Sequence, residues 1–243
     1  MVNKNVRNDV LTLFKNNRGK RKDNFQRILR SGFTLVELLV VIGIIAILVT
    51  VSFSAFGMAS QHAHSSACLA HMRTLGMAFV SYSTDNDGEL PGRVTEGGKD
   101  RWPVLLLPYV GGDPKVYVDP GDPVANKVPP QNLVSNNGNN SSFFFNGFND
   151  LGFYTNPTLT IRMVDLNDTS NLLLLGQKVH GSDQYYMDFV EGNENDILNK
   201  QSYFGGSNYV FADGSARFLY LSQYDNMMWL VNKSYQIPPV PGH

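Results

Sequence analysis

One carboxylate, that of Glu37, stands at the head of a run in which no Asp, Glu, Lys or Arg occurs from Leu38 through Ala59. An ionised carboxylate is costly in hydrocarbon unless a cation meets it, so the chemistry this position suggests is ion pairing. The plainer alternative is that Glu37 snorkels to the headgroups from a shallow position near the start of the run. Asp85-Asn86-Asp87-Gly88-Glu89 gathers oxygen atoms around a sharp turn, the ligand type hard Ca2+ prefers, with Asp85 and Asp87 as the candidate ligands. The same residues equally make an ordinary helix-ending turn, and the cluster is shorter than an EF-hand loop. Asp119-Pro120-Gly121-Asp122 poses the same choice.

His62, His64 and His71 are spaced too widely for one zinc ion, and no Cys or acid completes a set, so they read as surface groups. The single cysteine, Cys68, excludes an intramolecular disulfide and reads as a small buried hydrophobe. Tyr185, Tyr186, Tyr203 and Tyr209 would make a sugar-binding platform if exposed, but alternating aromatics on strands more often pack a sheet face. The chain has no Gly-Lys-Ser phosphate loop, no Gly-x-Ser-x-Gly elbow and no His-Glu-x-x-His. With no recognisable nucleophile and base, it is not expected to be an enzyme.

The elements that must carry these residues follow from charge and period. Up to Arg30 the chain has nine Lys and Arg against two acids, a charge of +7, and the remainder carries eleven against nineteen, or −8. A basic leader before an apolar span keeps that end cytoplasmic, and the acidic remainder is expected to cross. That acidity also disfavours nucleic acid as a partner. The apolar run is long enough to span a bilayer, since about 20 residues suffice. A cleaved secretory signal is the rival reading, given the small residues between Ser52 and Ser66.

Beyond the span Cys68, Met72, Leu75, Phe79 and Tyr82 recur at spacings of three and four, which predicts one helix from about Thr34 to Ser83. Gly43 and Gly57 within it read as packing positions or weak bend points. Asp87-Gly88 and Pro91-Gly92 end it. A short helix is expected over Arg101–Tyr109, and strands over Val116–Val118, Phe143–Phe145, Leu159–Val164, Leu172–Leu175 and Tyr185–Val190. Asp213-Gly214, between the apolar arms Asn208–Ala212 and Ser215–Leu219, predicts a hairpin, and Pro120–Asn140 reads as a surface loop. Gly205-Gly206-Ser207 reads as a strand entry.

Residues Ser31-Gly32-Phe33-Thr34-Leu35-Val36-Glu37, after a basic leader and before the apolar run, resemble the type IV pilin and type II secretion pseudopilin signal. Cys68–Gly76, Tyr82–Pro91 and the late Asn208-Tyr209-Val210-Phe211-Ala212-Asp213-Gly214 look like the pseudopilin-like proteins abundant in planctomycete and verrucomicrobial bacteria. Two positions depart from that pattern: Tyr203 stands where those proteins have His, and Asp119-Pro120 where many have Cys-Pro.

The resemblance implies an α+β fold with a long transmembrane N-terminal helix packed on a C-terminal antiparallel sheet in a lollipop layout. It implies a leader over 1–32, a helix over 33–83 and a periplasmic domain over 84–243. A prepilin peptidase would cut after Gly32 and methylate Phe33. Glu37 would then pair with the Phe33 amine of a neighbouring subunit in a secretion pseudopilus or pilus-like filament drawn from the inner membrane. Other pilin-like subunits and secretion-system components are the implied partners. Related pseudopilins bind Ca2+, in a loop not matched here. A membrane-anchored receptor for glycans or cargo is the alternative.

Overall fold

The computed structural model of the chain describes residues 33–93, 100–135, 139–152, 160–189, 192 and 194–234. The leader, and with it Gly32, lies outside them. The chain divides into two compact units, Met1–Phe56 and Gly57–His243. Helix α1, Leu35–Asp85, contributes to both.

In the first unit every residue from Phe33 to Phe53 is exposed. Among the described residues α1 is the one helix long and apolar enough to cross a membrane. A helix suits such a run because it satisfies each backbone N–H and C=O within the segment, which hydrocarbon cannot do.

In the second unit the remainder of α1 lies on a sheet. Cys68, Met72, Leu75 and Phe79 are fully buried, as their spacing predicted. The helix ends on left-handed residues, Asp87 at φ 53° and Gly88 at φ 85°, with the Gly88 N–H bonded to the Ser83 carbonyl at 2.8 Å. Helix α2, Trp102–Leu106, carries Pro103 in its first turn, continues as a 3-10 turn over Leu107–Val110, and stops at Gly111 (φ 70°).

The sheet has five strands, β1 Phe143–Asn146, β2 Leu173–Gln177, β3 Tyr186–Met187, β4 Gly206–Phe211 and β5 Ala216–Tyr220, in the order β3-β1-β2-β4-β5. The pairs β1/β2, β2/β4 and β4/β5 are antiparallel, and β3 runs parallel to β1, so the sheet is mixed. The reason is local: β2 ends opposite Phe143, where β1 begins, so a strand that starts from that end on the far side of β1 must run in its direction. Phe143 and Phe145 face α1 with Leu174 and Val210, while Phe144, Leu173, Tyr209 and Phe211 face a second core closed by Trp229 and Leu230. Phe79 of α1 stacks on Phe145 with ring centroids 4.9 Å apart.

Four expectations are corrected. Val116–Val118 is not a strand: Pro114 starts a 3-10 turn, Pro114–Tyr117, capped by the Asp113 carboxylate on the Lys115 N–H at 2.9 Å. Thr160–Val164 gives only a bridge from Arg162 to Glu89 before a 3-10 turn over Met163–Asp165, and Leu159 lies outside the described residues. The Tyr185–Val190 strand is reduced to the two residues of β3, with Val190 outside the described residues. The Pro120–Asn140 stretch is not wholly surface, because Asp122, Leu133 and Asn139 are buried and it holds a helical turn over Pro130–Leu133.

Candidate functional site

At the head of α1 Thr34 and Glu37 engage one another. Glu37 Oε2 accepts from the Thr34 N–H at 2.8 Å and from the Thr34 hydroxyl at 2.7 Å, and the Glu37 N–H donates to Thr34 Oγ1 at 3.2 Å. This is a reciprocal capping box, which satisfies two of the donors that a helix start leaves unpaired. The Thr-x-x-Glu spacing is its signature and was open to reading in the sequence. Both carboxylate bonds fall on one oxygen; Oε1 has no partner among the described residues. Phe33 is exposed beside this cap.

Residues 28–53 match the model of the prokaryotic N-terminal methylation motif. The chain carries a prepilin-type methylation motif. The match takes in Gly32, Phe33, Thr34 and Glu37, and the motif is typical of type IV pilin and pseudopilin signals. No curated protein and no solved structure matches the chain. The motif ends at residue 53, so the late Asn208–Gly214 pattern lies beyond it and rests on its own geometry.

That geometry gives Asn208, Asp213 and Gly214 one task, seating the sheet on α1. Asn208 Nδ2 donates to the Ser65 carbonyl at 3.1 Å, and its N–H donates to Gln177 Oε1 at 2.7 Å. Asp213 accepts from the Ser215 N–H at 2.9 Å, and of the two turn residues only Gly214, at φ 81°, takes positive φ. A Cβ built on Gly76 of α1 would lie 2.4 Å from the Gly214 carbonyl oxygen, so helix and turn meet backbone to backbone. Tyr209 points to the opposite core, against Tyr224 and Trp229.

Beneath this seat Tyr203 and Asp119 meet. The Tyr203 hydroxyl donates to Asp119 Oδ1, which also accepts from the Gly121 N–H at 2.8 Å, while Gln177 Nε2 donates to Asp119 Oδ2. Asp122 caps Val124 and Ala125 through Oδ1 and takes the Ser142 hydroxyl at 2.8 Å on Oδ2. Both carboxylates are thus buried structural acceptors. Burial, with the bond to Asp119 next, raises the Tyr203 phenol far above its usual range. Burial and then the Asp119 charge push the Cys68 thiol up, which keeps it an unreactive hydrophobe.

Lys178, also buried, donates to the Ser182 carbonyl at 2.6 Å and to that of Asn139, and desolvation lowers its pKa to about 7. Nothing in the sequence marked Gln177, Ser142 or Lys178 for these contacts.

Asp85 and Asp87 are exposed at the end of α1, and among the described residues no group of three or more His, Cys, Asp and Glu side chains converges to hold a metal ion. His71 bonds the Val118 carbonyl through Nδ1 at 2.8 Å, and His62 stacks on Phe204. Tyr186, Tyr203 and Tyr209 are buried and Tyr185 half-buried, so these four form no exposed platform. An open cleft of about 530 Å3 has Asp168 and Lys233 in its lining, and these two charges pair at 2.9 Å.

Proposed function

We propose that this chain is the precursor of a pilin-like structural subunit, cut after Gly32, methylated at Phe33 and assembled from the inner membrane into a secretion pseudopilus or pilus-like filament. The observation that carries the reading is the methylation motif at the head of a helix whose first stretch, Phe33 to Phe53, is exposed throughout and carries one acid, Glu37. An apolar surface of that extent needs a bilayer or neighbouring helices to cover it.

Cleavage between Gly32 and Phe33 leaves Thr34 and Glu37 together on the mature side, so the helix stays capped when the new amine appears. Glu37 Oε1 then accepts the methylated ammonium of a neighbouring subunit's Phe33. Two charges that are each costly in hydrocarbon cancel only at one axial offset, and this sets the register between subunits. The partners on this reading are a prepilin peptidase, further pilin-like subunits and secretion components. The N-terminus is cytoplasmic and the domain over 84–243 periplasmic. The subunit acts by assembly, not by catalysis.

The test is the mass of the mature N-terminus after expression with a prepilin peptidase. A chain beginning at methylated Phe33 is expected; one that begins at Met1, or far downstream of the apolar run, overturns the reading.

A further inference from the structure

Two surfaces of the Gly57–His243 unit are complementary in charge and in shape. The first is a groove of about 360 Å3 whose lining includes His71 of α1, Lys115, Val118, Ala125 and Leu133. Its floor is apolar, since Val118, Ala125 and Leu133 form a small buried cluster of their own. Its rim is basic. Lys115 is exposed and makes no ion pair among the described residues, and the neighbouring Asp113 carboxylate is bound to the Lys115 backbone N–H. His71 Nδ1 carries the proton of its bond to the Val118 carbonyl, because a carbonyl only accepts, so Nε2 is not used by that bond. Asp119 and Asp122, in the turn behind the groove, are buried, and their oxygens are occupied by Tyr203, Gln177, Ser142 and backbone N–H groups.

The second surface is a knob. Val164 is 74% exposed, more than any other large hydrophobic residue of this unit among the described residues. It sits in the 3-10 turn Met163–Asp165, which is held against the end of α1 by the Met163 N–H on the Gly88 carbonyl at 2.8 Å. Asp165 follows Val164, and Asp85 and Asp87 stand in the adjoining helix end. All three acids are exposed, and none makes an ion pair among the described residues. Arg162, beside Gly88, offsets one of these charges and leaves the knob acidic.

An apolar floor within a basic rim thus faces the outside at one place, and an apolar tip among acids at another. Opposite charges steer such surfaces together and fix their register, while the apolar contact excludes water. One copy cannot join its own pair: His71 and Asp85 are fourteen residues apart on α1, about 21 Å along its axis. The occupant with the matching surface is a second copy. Because groove and knob are different patches, a copy that receives a knob still offers its own, so the contact is heterologous and propagates from copy to copy unless rotation closes a ring.

We propose that the Val164 knob of one copy docks in the His71–Lys115 groove of the next. The proposal rests on the reading of the chain as an assembling subunit and gives that assembly a contact outside the apolar run. Copies with parallel helices are displaced by about 20 Å along α1 at this contact.

The experiment expresses the full-length chain with a prepilin peptidase and a filament-assembly machinery and measures sheared filaments. Lys115→Glu and Val164→Asp are each expected to lower the yield by about tenfold or more. Lys115→Glu combined with Asp165→Lys restores opposite charges across the contact and is expected to recover most of the yield. Lys115→Cys and Val164→Cys on separate co-expressed chains are expected to be joined by a short bis-maleimide cross-linker, and neither chain alone. Cys68 is buried and adds no background. Positions 115, 164 and 165 are all exposed; should a charge variant misfold, the cross-link reads the same contact.

Parental yields from Lys115→Glu and Val164→Asp, with no cross-link in filaments that the parent does form, overturn this proposal alone. If the parent gives neither sheared filaments nor the cross-link, the assembly reading falls and the proposal with it. A loss in Lys115→Glu that Asp165→Lys does not restore, again without the cross-link, assigns the groove to a different acidic partner and overturns the second copy.

Discussion

The hydroxyl of Tyr203 donates to Oδ1 of Asp119 across 84 residues of sequence. The pair ties the Asp119–Asp122 turn to the sheet through Gln177, and Gln177 ties it to Asn208 and so to α1.

Removing the hydroxyl with Tyr203→Phe leaves a buried carboxylate oxygen with the Gly121 N–H as its remaining donor, at an expected loss of about 1 to 3 kcal/mol. In a double-mutant cycle with Asp119→Ala the two losses should fail to add, by about 0.5 to 3 kcal/mol. Unfolding of the purified chains followed by circular dichroism measures both; strict additivity would show that the bond carries no energy.

The cap and the charge of Glu37 separate in two variants. Gln at this helix position keeps a reciprocal cap with Thr34 but carries no charge to meet an ammonium. Glu37→Gln is therefore expected to be cleaved and methylated like the parent yet absent from sheared filaments, and Glu37→Ala to lose the cap as well. Parental amounts of Glu37→Gln in filaments would reduce the residue to a helix cap.

Gly76 and Gly57 share α1 but not their surroundings. A Cβ on Gly76 would meet the Gly214 carbonyl oxygen at 2.4 Å and Val210 Cγ1 at 2.9 Å, whereas one on Gly57 meets nothing within 4 Å. Gly76→Ala should lower stability by about 1 to 3 kcal/mol as the hairpin is forced off the helix. Gly57→Ala should be neutral or stabilising, by up to about 1 kcal/mol of helix propensity. Thermal unfolding of the two variants side by side checks the contrast.

Buried Lys178 gives stability a pH slope. Its pKa is about 7 in the fold against 10.5 for the free side chain, and desolvation is the first cause. Above pH 7 the unfolded chain binds this proton more tightly than the fold does, so stability rises with pH, at up to about 1.4 kcal/mol per unit. The desolvation penalty is fully present below pH 7. Between pH 7 and 8.5, before ionisation of the unfolded Cys68 thiol opposes the trend, the parent should gain stability relative to Lys178→Met. Parallel curves for the two chains in that window would contradict it.

The stretch from residue 28 to residue 85 was legible because its signals are local. One acid before an uncharged run, apolar residues every three and four, and an Asp-Gly stop each act over a turn or two of chain. Thr34-x-x-Glu37 belongs to the same class. The Asp213-Gly214 hairpin was legible for the same reason.

What the tertiary structure decided lies wherever a residue's fate depends on a distant one. Asp119 and Asp122 look like cation ligands in sequence and are buried acceptors because Tyr203, Gln177 and Ser142 come to them from far along the chain. Pro114 outweighs the β propensity of Val116-Tyr117-Val118, and β3 runs parallel because β2 leaves the sheet at the start of β1. Propensity and spacing describe the chain to its neighbours within a few residues; hydrogen bonds across 20 to 143 residues are set only by packing, once the sheet has closed on the helix.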